Sequence, residues 1–447
     1  MEIIKFDLTK KGNKFKPMNS VNNGPIHFPG YRSQTTLENY KKMRAPYART
    51  HDSPFAQMYG GRNIVDISLI FRNFDADPYD PNSYNFAGTD KFFNLIHSTG
   101  TKVFFRLGQS TDSSLPDLGT SLPTDNLKWA IICEHIIRHY NEKWADGFEL
   151  GIEYFEIWNE PDLESKKFTG LKGTDEEFFD FFATVVTYLK SKFPQYKFGG
   201  PAAVSSIEEY YVRFLKEMYS RSVPLDFFSW HIYPDYPEKM IKRGNRVREH
   251  LDKIGYTNTQ SMVTEWNYIR DWNVHFPYSV KTIIGMKGAA FALAVMSLAQ
   301  KSNIDMIHYY DIRPGGRFNG VFDFYTFEPL KTFYALCWYG KFYDFEKEIS
   351  SENTVDNIYT LCGVKDGKTL TYVSYYTELD EEESNEKQIK LDFGKKGKYN
   401  VYLLDKTHDS ELITTTEDTT FTLKANTCIL VEEIKTTSST SGFLLPL

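Results

Sequence analysis

The chain has 447 residues, of which 41% are hydrophobic, 25% charged and 16% aromatic, and its net charge is −7. That is long enough for two or three domains and ordinary for a globular protein. It has no long basic run and no stretch near the roughly 20 apolar residues of a membrane helix, so nucleic acid and membrane are excluded as partners.

The four cysteines, Cys133, Cys337, Cys362 and Cys428, lie far apart without CxxC spacing and read as buried thiols. Met1 to Asp7 lacks the apolar core of a signal peptide. The chain therefore reads as cytoplasmic, or as exported with its leader already removed.

Residues 2 to 8 read as a strand, and Asn19 to Pro25 as a loop after a first short strand. A helix over 36–43 and a strand over 47–52 follow. The polar, Pro- and Asn-rich stretch 53–88 is long for a simple connection, which points to a functional or mobile loop. A helix is expected over 89–98 and a strand over 102–107. The helix from about Leu127 carries an apolar stripe of Trp129, Cys133, Ile136, Ile137 and Tyr140. An apolar strand, Ile152 to Trp158, runs into Asn159-Glu160-Pro161, where proline ends regular pairing.

Thr174 and Glu177 form a capping box ahead of a helix burying Phe178, Phe181, Phe182, Val185 and Leu189. Strands at 196–200, 227–231, 261–264 and 306–310 then alternate with helices at 207–219, 239–254, 280–300 and 329–342. About eight strand–helix repeats over 16–342 predict a (β/α)8 TIM barrel. The rival, a doubly wound open sheet, lacks a GxGxxG after any strand. After Phe342, short alternating segments at 357–364, 369–376, 387–393, 399–404, 419–423 and 427–433 read as a small C-terminal antiparallel β-sandwich. The expected division is a barrel over 16–342, a sandwich of 1–15 with 343–434, and a flexible tail, 435–447. The acidic run Glu378 to Glu383 reads as a solvated loop.

In a barrel, polar residues at strand ends converge on one mouth. Here they are Arg49, His51 and Asp52; Arg106; Asn159 and Glu160; His231 and Tyr233; Glu265 and Asn267; Asp311 and Arg313. Glu160 sits against an aromatic wall that disfavours its charged form, as a general acid requires. Glu160 and Glu265 come from strands four and seven. Two carboxyls facing across a mouth equip a site for glycoside hydrolysis, one protonating the leaving oxygen and the other attacking the anomeric carbon or activating water. Metal ligation competes for the same residues, but no HxH, HExxH or DxDxD spacing supports it, and neither metal nor cofactor is expected. Arg49 either pairs with a structural carboxylate or orients Glu265, and Glu156 and Arg106 are candidates for a buried ion pair. Trp266, directly after Glu265, is a candidate sugar-facing ring.

Phe155 to Asp162, Phe198-Gly199-Gly200-Pro201, Phe228 to Tyr233 and Val263 to Asn267 resemble glycoside hydrolase family 39 of the clan A barrels. β-Xylosidases and α-L-iduronidases are members. The resemblance covers residues 45 to 340 and implies a retaining hydrolase acting on a carbohydrate. Glu160 would be the acid/base and Glu265 the nucleophile, with carboxyls about 5–5.5 Å apart. Asn159 would hold the sugar 2-hydroxyl, and His51, His231 and Tyr233 would line the glycone site. Arg49, Asp52 and Trp266 complete the candidate substrate-binding set. Asp162 stands where many xylosidases carry Asn. The alternative is a non-catalytic sugar-binding barrel that keeps the carboxylates for hydrogen bonding.

Overall fold

The computed structural model describes residues 1–28, 34–52, 64–109, 121–163, 173–378 and 385–434. The expected tail, most of the acidic run and part of the long 53–88 connection lie outside the described residues. Contacts divide the chain into two compact units, residues 16–340 and residues 1–15 with the segment from Lys341 onward.

In the larger unit eight parallel strands close into a barrel. In chain order they are Ser20–Asn22, Tyr47–Arg49, Lys102–Leu107, Tyr154–Ile157, Lys197–Val204, Phe227–Ile232, Gln260–Trp266 and Met306–Tyr309. The first is part of the stretch read from sequence as a loop. Its polar Asn22 hides the strand pattern, yet all three of its residues are buried. Helices cover the outside. The stripe predicted on helix Asn126–Glu142 is buried throughout. Both hydrogen bonds of the Thr174–Glu177 capping box form. The helix expected over 280–300 is instead two helices, Phe276–Ile283 and Met286–Gln300, bent by 78°. Among the described residues no single helix is long and apolar enough to cross a membrane.

The barrel interior is a packed plug, as its width demands. Phe104, Tyr154, Phe227, Met262 and Met306 form one cluster there. Phe104 stacks on Tyr154 with ring centroids 5.4 Å apart. Strand five threads past strand six at Gly199, where an added Cβ would lie 2.1 Å from the Phe227 carbonyl oxygen.

The second unit holds a nine-stranded sheet in one continuous order. Strand Glu2–Lys11 pairs antiparallel with Lys347–Glu352 and parallel with Lys387–Asp392. Residues from distant strands, Ile4, Leu391, Val401 and Val431, share one core, so the sheet curls over itself. The strand Asp409–Thr416, missed in the sequence, is an exposed edge with no alternating apolar signal to find.

Gly199→Ala is expected to destabilise the barrel by about 1–3 kcal/mol, because the methyl meets backbone and the Phe227 ring rather than space. A lower urea midpoint for the barrel transition checks it; an unchanged midpoint would show that strands five and six can separate freely.

Candidate active site

The acid at the end of strand four is held in an unusual backbone. Trp158 and Glu160 have φ of 74° and 45°, a left-handed region that side chains other than glycine enter at a cost. Three hydrogen bonds hold the turn. Trp158 N–H donates to the Leu107 carbonyl at 2.9 Å, and Glu160 N–H to the Ala202 carbonyl at 3.1 Å. Val204 N–H donates to Asp162 Oδ1 at 3.0 Å. Ala202 lies where the register of strand five shifts against strand six, a bulge that presents its carbonyl to strand four. Trp158 packs outward on Phe178 and Phe181, which fixes the turn against its helix.

Strand two contributes Arg49, fully buried. Its Nε donates to Glu156 Oε2 at 2.6 Å, and Nη1 to Glu265 Oε1 at 2.9 Å and Asn22 Oδ1 at 3.1 Å. Nη2 donates to Asn159 Oδ1 at 2.7 Å. Arg49 therefore takes up both alternatives left open by its sequence, pairing with a structural carboxylate and orienting Glu265. Its guanidinium meets four protein groups among the described residues. The expected Arg106–Glu156 pair is corrected. Glu156 belongs to Arg49, and Arg106 pairs with Asp66 at 2.8 Å, ahead of the short helix Ile67–Ile70.

Strands six and seven complete the mouth. His231 Nδ1 lies 2.6 Å from Glu160 Oε1 and 3.6 Å from Glu265 Oε2, with its Nε2 3.2 Å from Thr264 Oγ1. The Tyr233 hydroxyl donates to Glu265 Oε2 at 2.6 Å. One oxygen from each glutamate and one His231 nitrogen all lie within 4.8 Å of one another. Such a trio has the ligand types for a divalent ion. Both Glu265 oxygens are already taken, however, one by a guanidinium and one by a hydroxyl, which suits charge stabilisation better than ligation.

Burial pushes Glu160 up to about 7, and the Arg49 charge only partly opposes it. Its side chain stays 19% exposed to the cleft. Burial likewise raises Glu265, with His231, Arg49 and the Tyr233 hydrogen bond pulling the other way. Of the effects acting on Glu265, desolvation is the largest. Burial lowers His231 to about 4, so the imidazole between the carboxyls is neutral at pH 7. Asp162, buried two residues beyond Glu160, is raised to about 8, chiefly by desolvation. Its Oδ2 has no partner among the described residues.

A second polar group joins strands two and eight. Asp52 Oδ2 accepts from the Tyr310 hydroxyl and from Arg313, each at 3.0 Å, and Arg313 also pairs with Asp311 at 2.6 Å. His51 is buried beside Asp52 with Nδ1 unpartnered among the described residues, and burial holds its pKa well below the ordinary imidazole value. Asn267 donates to the Tyr310 and Phe318 carbonyls and so shapes the loop after strand eight.

Trp266 is corrected as a sugar-facing ring. It is fully buried, edge-on to Tyr309 and packed on Phe291 of the outer helix. Strict alternation from the inward Met262 would send Trp266 inward and Glu265 outward. An extra residue at strand seven, opposed by none on strand six, reverses this and turns Thr264 and Glu265 toward the mouth. Sequence reasoning missed Asn22 and Thr264; a polar residue closing an otherwise buried strand was the available signal for Asn22.

Fold and site together define a class: a (β/α)8 barrel with two facing carboxyls at the carboxyl ends of strands four and seven, anchored by one buried arginine. Within that class the chain belongs to glycosyl hydrolases family 39, whose model matches residues 4–299. It is 23% identical over 239 residues to a β-xylosidase from Geobacillus stearothermophilus, covering 48% of this chain and 47% of that one. It is 27% identical over 249 residues to a β-xylosidase from Caldicellulosiruptor saccharolyticus, covering 49% and 48%. The chain thus spans about half the length of the curated relatives it matches. Among solved structures, a glucosidase from Croceicoccus marinus superposes with a TM-score of 0.78 at 21% identity, covering 98% of this chain and 99% of that one. A monomeric β-xylosidase from Caulobacter crescentus CB15 gives 0.69 at 15%, covering 97% and 99%. At those identities the likeness is one of fold.

Arg49→Met is expected to cost about 3–5 kcal/mol at pH 7, since Glu156 and Glu265 are left buried without a cation. In the variant the Glu265 carboxyl, already raised by burial, loses its cation and rises further above the unfolded value of roughly 4.3, so the deficit shrinks as pH falls toward it. Urea unfolding at pH 7 and pH 5 measures the difference; an equal deficit at both would rule out unpaired charge as its origin.

Asp162→Asn keeps an oxygen for Val204 N–H and removes the titration. Because the folded pKa of about 8 lies above the unfolded value, wild-type stability declines as pH rises between the two. The variant should melt higher than wild type at pH 8 and equally at pH 4. A variant that melts lower at pH 8 would refute the buried-acid reading.

Proposed function

We propose that the chain is a retaining glycoside hydrolase working by double displacement, with Glu160 as acid/base and Glu265 as nucleophile. The observation that carries this is that an oxygen of one carboxyl lies within 4.8 Å of an oxygen of the other. Retaining enzymes hold the pair about 5–5.5 Å apart, whereas inverting ones leave roughly 6.5–9.5 Å for a water.

In the first step protonated Glu160 gives its proton to the glycosidic oxygen as the bond to the anomeric carbon breaks. Glu265 forms the new bond to that carbon from the opposite face. Arg49 and Tyr233 hold Glu265 by its two oxygens, favouring the anion and fixing its aim. Glu160, now ionised, then takes a proton from water as that water attacks the glycosyl–enzyme ester. Neutral His231 steadies Glu160 without adding charge. Asn159, oriented by Arg49, is placed to bind the sugar 2-hydroxyl, and Nδ1 of His51, without a partner among the described residues, suits another hydroxyl. The names of the relatives support a β-xyloside as substrate.

Because Glu160 must start protonated, kcat/KM should fall as pH rises through about 7. The Glu160→Gln variant, assayed on a dinitrophenyl glycoside that needs no proton, should lose that alkaline limb. A panel of 2-deoxy-2-fluoro glycosyl fluorides tests the nucleophile, with xylose, arabinose, galactose, glucose and glucuronic acid as glycones. The matching one should label Glu265 covalently, seen by peptide mass. Azide should rescue Glu160→Ala with retention of configuration. Rescue of Glu265→Ala with retention would reverse the assignment, and absence of any label or hydrolysis would refute the enzyme reading.

A further inference from the structure

We propose that Trp272 is the platform for a sugar ring on the leaving-group side of the scissile bond, so that the favoured substrate is a di- or oligosaccharide. The inference rests on the glycosidase reading above and adds what the aglycone is.

Trp272 lies on the loop between strand seven and helix Phe276–Ile283. It is 55% exposed, yet three rings hold it. Tyr233 meets it edge-on at 5.1 Å, Phe276 lies nearly parallel at 6.0 Å, and Phe318 meets it edge-on at 6.1 Å. Fixing a large aromatic side chain while leaving half of it in water forgoes much of its burial free energy. What remains is a flat, rigid surface with little rotamer freedom left to lose on binding. The axial C–H face of a pyranose is apolar and its hydroxyl edge polar, so a ring can lie on such a surface and keep its hydroxyls solvated.

The surface is continuous with the chemistry. Tyr233, against which Trp272 rests, donates its hydroxyl to Glu265. Direction follows from where polar groups lie. His51 and Asp52 follow strand two, and Asp311 and Arg313 follow strand eight. Tyr233 and Trp272 follow strands six and seven, and strand six stands opposite strand two in the closed order. A buried glycone needs partners for its hydroxyls, so it takes the end with His51 and Asp52. The second ring then extends over Tyr233 toward Trp272.

The test uses the full chain and the glycone selected by the fluoro-sugar panel. Two substrates are compared: the disaccharide, and the glycosyl fluoride with the same glycone and no leaving-group ring. The ratio of kcat/KM for disaccharide to that for fluoride should fall about tenfold in Trp272→Ala and stay within about twofold of wild type in Trp272→Phe. An unchanged ratio overturns the proposal, whether both rates fall together, as for a structural role, or neither does. A third substrate, the fluoride of the disaccharide, places the second ring on the glycone side. If the loss in Trp272→Ala follows that substrate, the platform lies on the wrong side and the proposal fails. If wild type is labelled at Glu265 but the ratio holds, this inference alone falls; if wild type is not labelled, the catalytic reading falls and takes this one with it.

Discussion

A guanidinium cut off from water has to find its acceptors within hydrogen-bond reach, and Arg49 finds them on three other strands. Glu156 and Asn159 come from strand four and its end, Glu265 from strand seven, and Asn22 from strand one. Loss of any of these contacts leaves a desolvated charge with less compensation, so the geometry is self-policing. The fork shape matters as much as the charge. Three nitrogens in one plane fix the directions from which four side chains arrive, something a lysine ammonium would not impose. The two halves of the mouth are thereby brought to a common frame, with one carboxyl touching the arginine and the other touching the neutral histidine beside it.

That asymmetry separates two glutamates in otherwise similar surroundings. Both are desolvated by the barrel wall, which raises both. Only Glu265 has a direct cation and a hydroxyl donor, each favouring the anion. Glu160 has a strained turn that points it into the cleft and a histidine too basic-poor to stay charged beside it. The barrel mouth is divided in the same way, with hydrogen-bonding groups toward strands two and eight and aromatic rings toward strands six and seven.

Much of this was legible in the chain. The alternation of strand and helix announced a barrel, and the barrel rule then gathered residues as distant as His51 and Arg313 to one face. The misreadings share a cause. Trp266 reads as facing the sugar because it follows Glu265, but a bulge shifts inward and outward positions by one, and no local residue pattern marks a bulge made by Thr264. Glu156 and Arg106 sit side by side in register on neighbouring strands yet choose different partners, which depends on how far each side chain reaches into the mouth. Asn22 reads as loop because its polarity outweighs its buried surroundings. Each is a case of tertiary geometry outvoting a local signal.

The pairing of strand Glu2–Lys11 with strands near residues 350 and 390 has a consequence in time. Lys5 faces Glu352, and Ile4 faces Leu391. A ribosome adding roughly 5–20 residues per second needs on the order of 20–70 s to cover that distance. Throughout that interval the strand has left the exit tunnel while its partners have not been made, so the barrel is synthesised as an insertion inside an unfinished sheet. The exposed N–H and C=O groups of a waiting strand are templates for unwanted pairing. Alternating charge along Glu2-Ile3-Ile4-Lys5-Phe6-Asp7, continued by Lys10 and Lys11, is the kind of sequence that keeps such a strand solitary until its neighbours arrive.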